Sequence, residues 1–127
     1  DHACAAAGRS SAEVEVVAVT KTVGPEQAAA LARLGVTNLA ENSVDSLEHK
    51  AGWLREHAVG ARWHLIGHLQ SNKARRAVRV VDQIHSVDSL RLLETLERPA
   101  AAEAFGRMEA AHGCRVSRRC HTSQGAA

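Results

Sequence analysis

The sequence predicts an α/β fold in which parallel strands alternate with helices. Four apolar, partly β-branched runs each end in polar residues, and each is followed by a stretch with helical spacing. Glycine or proline punctuates most of the junctions between them. Alternation of this kind joins parallel strands through right-handed crossovers. A (β/α) barrel and a doubly wound sheet both satisfy it, and periodicity does not separate the two.

The first strand organises the rest. Val14-Glu15-Val16-Val17-Ala18-Val19-Thr20-Lys21-Thr22 is expected to be buried on both faces. Lys21 stands where that strand emerges, at the end where α/β proteins place their chemistry. A lysine there is either a solvated cap or, stripped of part of its water, a nucleophile toward aldehydes. Upstream, Asp1 to Ser11 reads as the tail of a helix ending at Gly8 and then a polar turn, so the chain is expected to begin partway into an element. Downstream, Pro25 marks a helix start, Ala28, Leu31 and Leu34 keep its spacing, and Gly35 suits its C-terminal cap.

The second strand is predicted over Val36 to Asn42. Leu47, Ala51, Leu54 and Ala58 then form one helical stripe, with Ser43 or Asp45 to cap its start and Gly60 to end it. Arg62 to Gly67 is a third strand, with His68 to Lys73 as the loop leaving it. Ala74, Ala77, Val78 and Val81 mark the narrow apolar face of a third helix, capped from Gln70, Ser71 and Asn72. Arg75, Arg76 and Arg79 on its other face read as a solvated surface.

Gln83 to Asp88 is a fourth strand, and Ser89 to Glu97 a fourth helix through Leu90, Leu93 and Leu96. Pro99 is expected to break or kink that helix, after which Ala100 to Ala111 returns to helical composition. Beyond Gly113 three arginines appear among almost no apolar residues, where the rhythm calls for a fifth strand. The chain thus divides into 1–12, the end of a helix and a turn; 13–112, the β/α units; and 113–127, expected to be disordered.

Composition narrows the function classes. With 127 residues and 45% hydrophobic content the chain can bury one modest core. A formal net charge of +2 and 2% aromatic residues argue against a nucleic-acid partner. No apolar run reaches membrane-spanning length, and the start lacks the regions of a signal peptide. Cys4, Cys114 and Cys120 are odd in number and lack zinc-site spacing, which fits a reducing, cytoplasmic setting.

Other residues carry chemistry only in combination. Asn42, ending the second strand, either hydrogen-bonds a ligand or its lysine, or satisfies its own loop. His85 ends a strand and can approach the same place. His64 reads as a satisfied core group. A metal site from His64, His68 and His85 is disfavoured, because Trp63 to Ile66 reads as strand, Gly67 interrupts any helix, and a His-Glu-x-x-His glutamate is missing.

Four motifs resemble the pyridoxal-phosphate homeostasis proteins, which are related to the N-terminal domain of alanine racemase. Ala18-Val19-Thr20-Lys21-Thr22 is similar to the family's cofactor-lysine strand, which usually has serine where Thr20 stands. Ala40-Glu41-Asn42 is similar to its Gly-Glu-Asn segment, with Ala40 for the glycine and Ser43 for a tyrosine. Arg62-Trp63-His64-Leu65-Ile66-Gly67-His68-Leu69-Gln70-Ser71-Asn72-Lys73 is the most specific match. His85-Ser86-Val87-Asp88-Ser89-Leu90 resembles the next strand-to-helix junction.

The resemblance covers about residues 1–98. It implies a fold-type III, TIM-like barrel that holds pyridoxal 5'-phosphate through a Schiff base on Lys21, beside which Asn42 and His85 are the candidate cofactor-binding residues. It implies a cofactor carrier without established catalysis. A whole (β/α)₈ barrel takes about 250 residues and grips phosphate after strands seven and eight, so the chain is expected to be a truncated member of about four β/α units. Weak cofactor binding and self-association through the open edges of strands one and four follow. Two alternatives remain: a racemase-like enzyme fragment and a nonfunctional remnant. A racemase needs a second acid/base residue across the ring, and the chain has no tyrosine to serve.

Overall fold

The computed structural model describes residues 2–102, 107–109 and 115–117. Its centre is a parallel sheet of four strands, β1 (Ala18–Val19), β2 (Asn38–Glu41), β3 (Arg62–Leu65) and β4 (Gln83–Ile84), in the spatial order β1-β2-β3-β4. A doubly wound sheet reverses its order at a switch point. Here each strand lies beside the one before it in sequence, with no reversal. That is the progression of a barrel, and it resolves the ambiguity that periodicity left.

The register aligns Val19 with Ala40, Ala40 with His64, and His64 with Gln83. Alternation along the strands sends Leu39, Trp63, Leu65 and Ile84 to the opposite face from that row. These four enter one core with Ala28 and Ala29 of α2 (Pro25–Arg33) and Leu47 and Leu54 of α3 (Val44–Glu56). Leu92 and Leu96 of α5 (Leu90–Ala102) join the same core. A short helix, α1 (His2–Ala6), precedes the sheet and buries no residue.

The helix ends follow local chemistry. Pro25 opens α2, and Gly35 follows it at φ 94°, a left-handed conformation that only glycine adopts without strain. Ser43 caps α3, its Oγ accepting from the Ser46 N–H at 3.2 Å. Gly60 was the expected terminus of α3, but the left-handed residue is Ala58, at φ 53°. The Val59 N–H donates to the Leu54 carbonyl at 2.9 Å and Ala58 N–H to that of Arg55 at 3.1 Å, closing the last turn. His57 stacks on Trp53 with ring centroids 3.6 Å apart, which braces that turn and compensates for the strain.

The third helix is shorter than expected, a 3₁₀ turn at Ser71–Lys73 running into α4 (Ala74–Ala77). Its predicted apolar face is buried throughout, while Gln70 provides no side-chain cap. Arg76 is no simple solvated residue. It donates to Asp45 Oδ1 at 2.8 Å and to Glu48 Oε1 at 3.1 Å, and Lys73 reaches Asp45 Oδ2 at 2.6 Å, so α4 is strapped to α3. Lys73 first, and then Arg76, hold the Asp45 carboxyl below the usual aspartate range.

Several expectations need correction. The strand predicted over Val14 to Thr22 pairs only at Ala18–Val19, and Val14, Val16 and Val19 are about half exposed or more, at 47%, 69% and 50%. They sit on or beside a strand with one strand neighbour, β2, among the described residues. The fourth strand is likewise two residues long, although the His85 N–H continues the ladder to the Leu65 carbonyl at 2.9 Å. Pro99 costs α5 the hydrogen bond to the Thr95 carbonyl without ending the helix, which runs to Ala102. The helical composition predicted to Ala111 gives way to β5 (Arg107–Glu109), antiparallel to β6 (Arg115–Ser117). Those last three residues, expected to be disordered, are therefore paired; the rest of 113–127 lies outside the described residues. No helix among the described residues is long and apolar enough to cross a membrane.

Candidate functional site

The parallel register carries three predicted residues to one edge of the sheet. Thr20 N–H donates to the Ala40 carbonyl, Ile66 N–H to that of Glu41, and His85 N–H to that of Leu65, all at 2.9 Å. Lys21, Asn42, Ile66 and His85 therefore follow the paired segments of the four strands at their carboxyl ends. This is the edge where barrel proteins assemble their sites.

Lys21 lies in the turn that leaves β1, and it is exposed rather than stripped of water. The Val23 N–H closes this turn on the Thr20 carbonyl at 3.1 Å. The chain has three lysines. Lys50 is buried against Glu41, and Lys73 is paired with Asp45. Lys21 has no hydrogen-bond or ion-pair partner among the described residues. Its amine is the one left open to a ligand.

Asn42 is also exposed. Its backbone is closely approached by Gly67, where an added Cβ would come within 1.9 Å of the Asn42 carbonyl oxygen. Ser86 Oγ donates to the Gly67 carbonyl, so the segments after β2, β3 and β4 are packed together in sequence.

His85 is half-buried, and its Nε2 lies 2.9 Å from Nδ1 of the fully buried His64. His64 Nε2 faces Asn38 Oδ1 at 3.3 Å. With His64 Nε2–H donating to Asn38, its Nδ1 is an acceptor and His85 Nε2–H donates to it. Burial first, and the neighbouring His85 imidazole second, hold His64 below the ordinary histidine range. His68 stands apart from this pair and faces Asp88 at 3.1 Å. Among the described residues no three His, Cys, Asp or Glu side chains are grouped to hold a metal.

A second constellation lies beneath this edge and was not anticipated. Glu41 is completely buried, and its Oε1 accepts from Lys50 Nζ at 2.6 Å and from Thr20 Oγ1 at 2.6 Å. Its Oε2 accepts from Ser46 Oγ at 2.8 Å. Lys50 Nζ also donates to the Thr20 carbonyl at 2.6 Å. One signal for it was present in the sequence. Lys50 stands three residues after Leu47 and four before Leu54, on the apolar stripe of α3, where a lysine must find a buried partner.

The fold and the sequence have close counterparts. The chain is 36% identical over 112 residues to the pyridoxal phosphate homeostasis protein of Mycobacterium leprae, covering 82% of this chain and 44% of that protein. It is 38% identical over 96 residues to the protein of that name from Escherichia coli, covering 73% and 41%. PipY of Synechococcus elongatus, solved with PLP bound, superposes with a TM-score of 0.68 at 35% identity, over 79% of this chain and 47% of that one. The chain belongs to the pyridoxal phosphate homeostasis protein family. It spans less than half the length of these relatives. The same protein solved without PLP gives a TM-score of 0.70 at 34% identity. No family model matches the chain.

In this family context the (β/α) barrel progression of the four strands is the expected fold. The residues present fit the carbonyl end of pyridoxal phosphate, through the open amine of Lys21. The phosphate grip that barrels build after strands seven and eight has no counterpart among the four strands described.

Proposed function

We propose that this chain carries pyridoxal 5'-phosphate as a Schiff base on Lys21 and serves cofactor homeostasis as a carrier, not a catalyst, in a reducing, cytoplasmic setting. One observation carries the reading. Of three lysines, Lys21 alone is exposed and unpartnered among the described residues, and it stands at the carboxyl edge of the sheet with Asn42 and His85.

Pyridoxal phosphate supplies an aldehyde. The Lys21 amine would be the group that holds this aldehyde covalently, as amines do in Schiff bases with loss of water. Asn42 and His85 are the neighbours suited to hydrogen-bond the bound ring or the lysine nitrogen. A racemase-like reading is less well supported, because the half-buried His85 already spends Nε2 on His64. A relative solved with PLP bound supports the choice of ligand.

Borohydride trapping with pyridoxal phosphate, followed by peptide mapping, tests the proposal. The label is expected on Lys21 and is expected to vanish in Lys21→Ala. Labelling spread evenly over Lys50 and Lys73 would instead mean unspecific amine chemistry.

A further inference from the structure

We infer that Lys50 is a positioning residue for Lys21, because its ammonium pins the carbonyl that opens the turn on which Lys21 is carried. The inference rests on the carrier reading of Lys21 and adds to it.

Thr20 is the residue before Lys21, and its carbonyl oxygen has two donors. The Val23 N–H at 3.1 Å closes the turn Thr20-Lys21-Thr22-Val23, and Lys50 Nζ at 2.6 Å reaches the same oxygen from α3. Thr20 is held a second way, through Oγ1 to Glu41 Oε1. Glu41 closes β2 one residue before Asn42, so the network fixes the backbone beside two of the three predicted site residues, Lys21 and Asn42.

Stability alone does not account for the pair. Two buried charges lose hydration that their attraction barely repays, and apolar residues of similar volume are often as good. An apolar side chain cannot donate to a backbone carbonyl. What Lys50 adds is a charge-assisted hydrogen bond to the carbonyl oxygen of Thr20, at the end of the strand that presents Lys21. A fixed backbone there limits where the Lys21 amine can reach, and modest misplacement of a reacting group lowers rates steeply.

The test uses the full chain with pyridoxal phosphate and borohydride, reading Lys21 labelling against Lys73 as an internal reference. The double variant Glu41→Gln/Lys50→Met removes both charges and leaves no buried ion unpaired. The Lys21-to-Lys73 ratio is expected to fall on the order of tenfold, with Lys73 labelling unchanged. Amide exchange at Val23 should quicken while that at Leu65 in the core does not, which separates lost positioning from a general loosening. An unchanged ratio with unchanged Val23 exchange overturns the inference and leaves the carrier reading standing. Equal labelling of Lys21 and Lys73 in the parent chain overturns the carrier reading itself. If the double variant does not fold, the parent chain still decides: a Val23 amide exchanging at the rate of an open chain shows that the turn is not held.

Discussion

Gly67 and Asn42 approach so closely that only a residue without a side chain can stand at position 67. An ideal Cβ there would lie 1.9 Å from the Asn42 carbonyl oxygen and 2.7 Å from its carbonyl carbon. The obstacle is backbone, so it cannot rotate away. Gly67→Ala is expected to push apart the segments after β2 and β3, costing about 1–3 kcal/mol as overpacking does. Urea unfolding measures this, and an unshifted midpoint would show that the Asn42 segment gives way freely.

Burial of His64, and then its neighbour His85, makes stability depend on pH. His64 is held neutral in the fold, below the ordinary value of 6.5 that the unfolded chain regains. Between those two values the unfolded chain binds more protons, so stability rises with pH. The contribution is complete above 6.5 and is lost as pH falls below it. Thermal unfolding from about pH 7.5 to about pH 5.5 should show the melting temperature dropping. In His64→Gln that drop should shrink; an identical pH profile for the variant would refute the assignment.

The buried Glu41–Lys50 pair should behave non-additively. Lys50→Met alone strands a buried carboxylate and is expected to cost about 3–5 kcal/mol. Adding Glu41→Gln removes that charge and should restore much of the loss, although the second change deletes another native group. A double-mutant cycle by chemical denaturation reads the coupling directly. Purely additive effects would mean that the two side chains do not depend on each other.

Open apolar surface at the first strand should drive association. Val16 and Val19 are 69% and 50% exposed, and β1 has a single strand neighbour among the described residues. Unpaired edges flanked by apolar side chains template pairing with other chains. Sedimentation is expected to show an oligomer that Val16→Lys shifts toward monomer. A concentration-independent monomer in the parent chain would count against this.

The surface strap between α3 and α4 should be sensitive to salt. Asp45, Lys73 and Arg76 are held together largely by charge at an exposed position, where added ions screen attraction. Arg76→Ala should lower the unfolding midpoint at low salt, and the gap should narrow at high salt. A gap independent of salt would point to packing by the arginine stem instead.

Much of this protein was legible one element at a time. Pro25 and Gly35 bracket α2, Ser43 caps α3, and the stripe Leu47, Ala51, Leu54 is buried, because helix limits and faces depend on residues within a turn of each other. The placing of Lys21 at the carboxyl end of the first strand was legible too, although the strand is shorter and more exposed than its apolar run suggests. Tertiary structure decided the rest. Strand order is a matter of which elements meet, and no local period records it; β1-β2-β3-β4 emerged only in the sheet. The exposure of Val16 depends on neighbours far along the chain, so a β-branched run predicted as a buried strand pairs over two residues only. Lys50 and Thr20, thirty positions apart, meet because α3 packs against β2 at one register, where a buried ammonium must find every acceptor within reach.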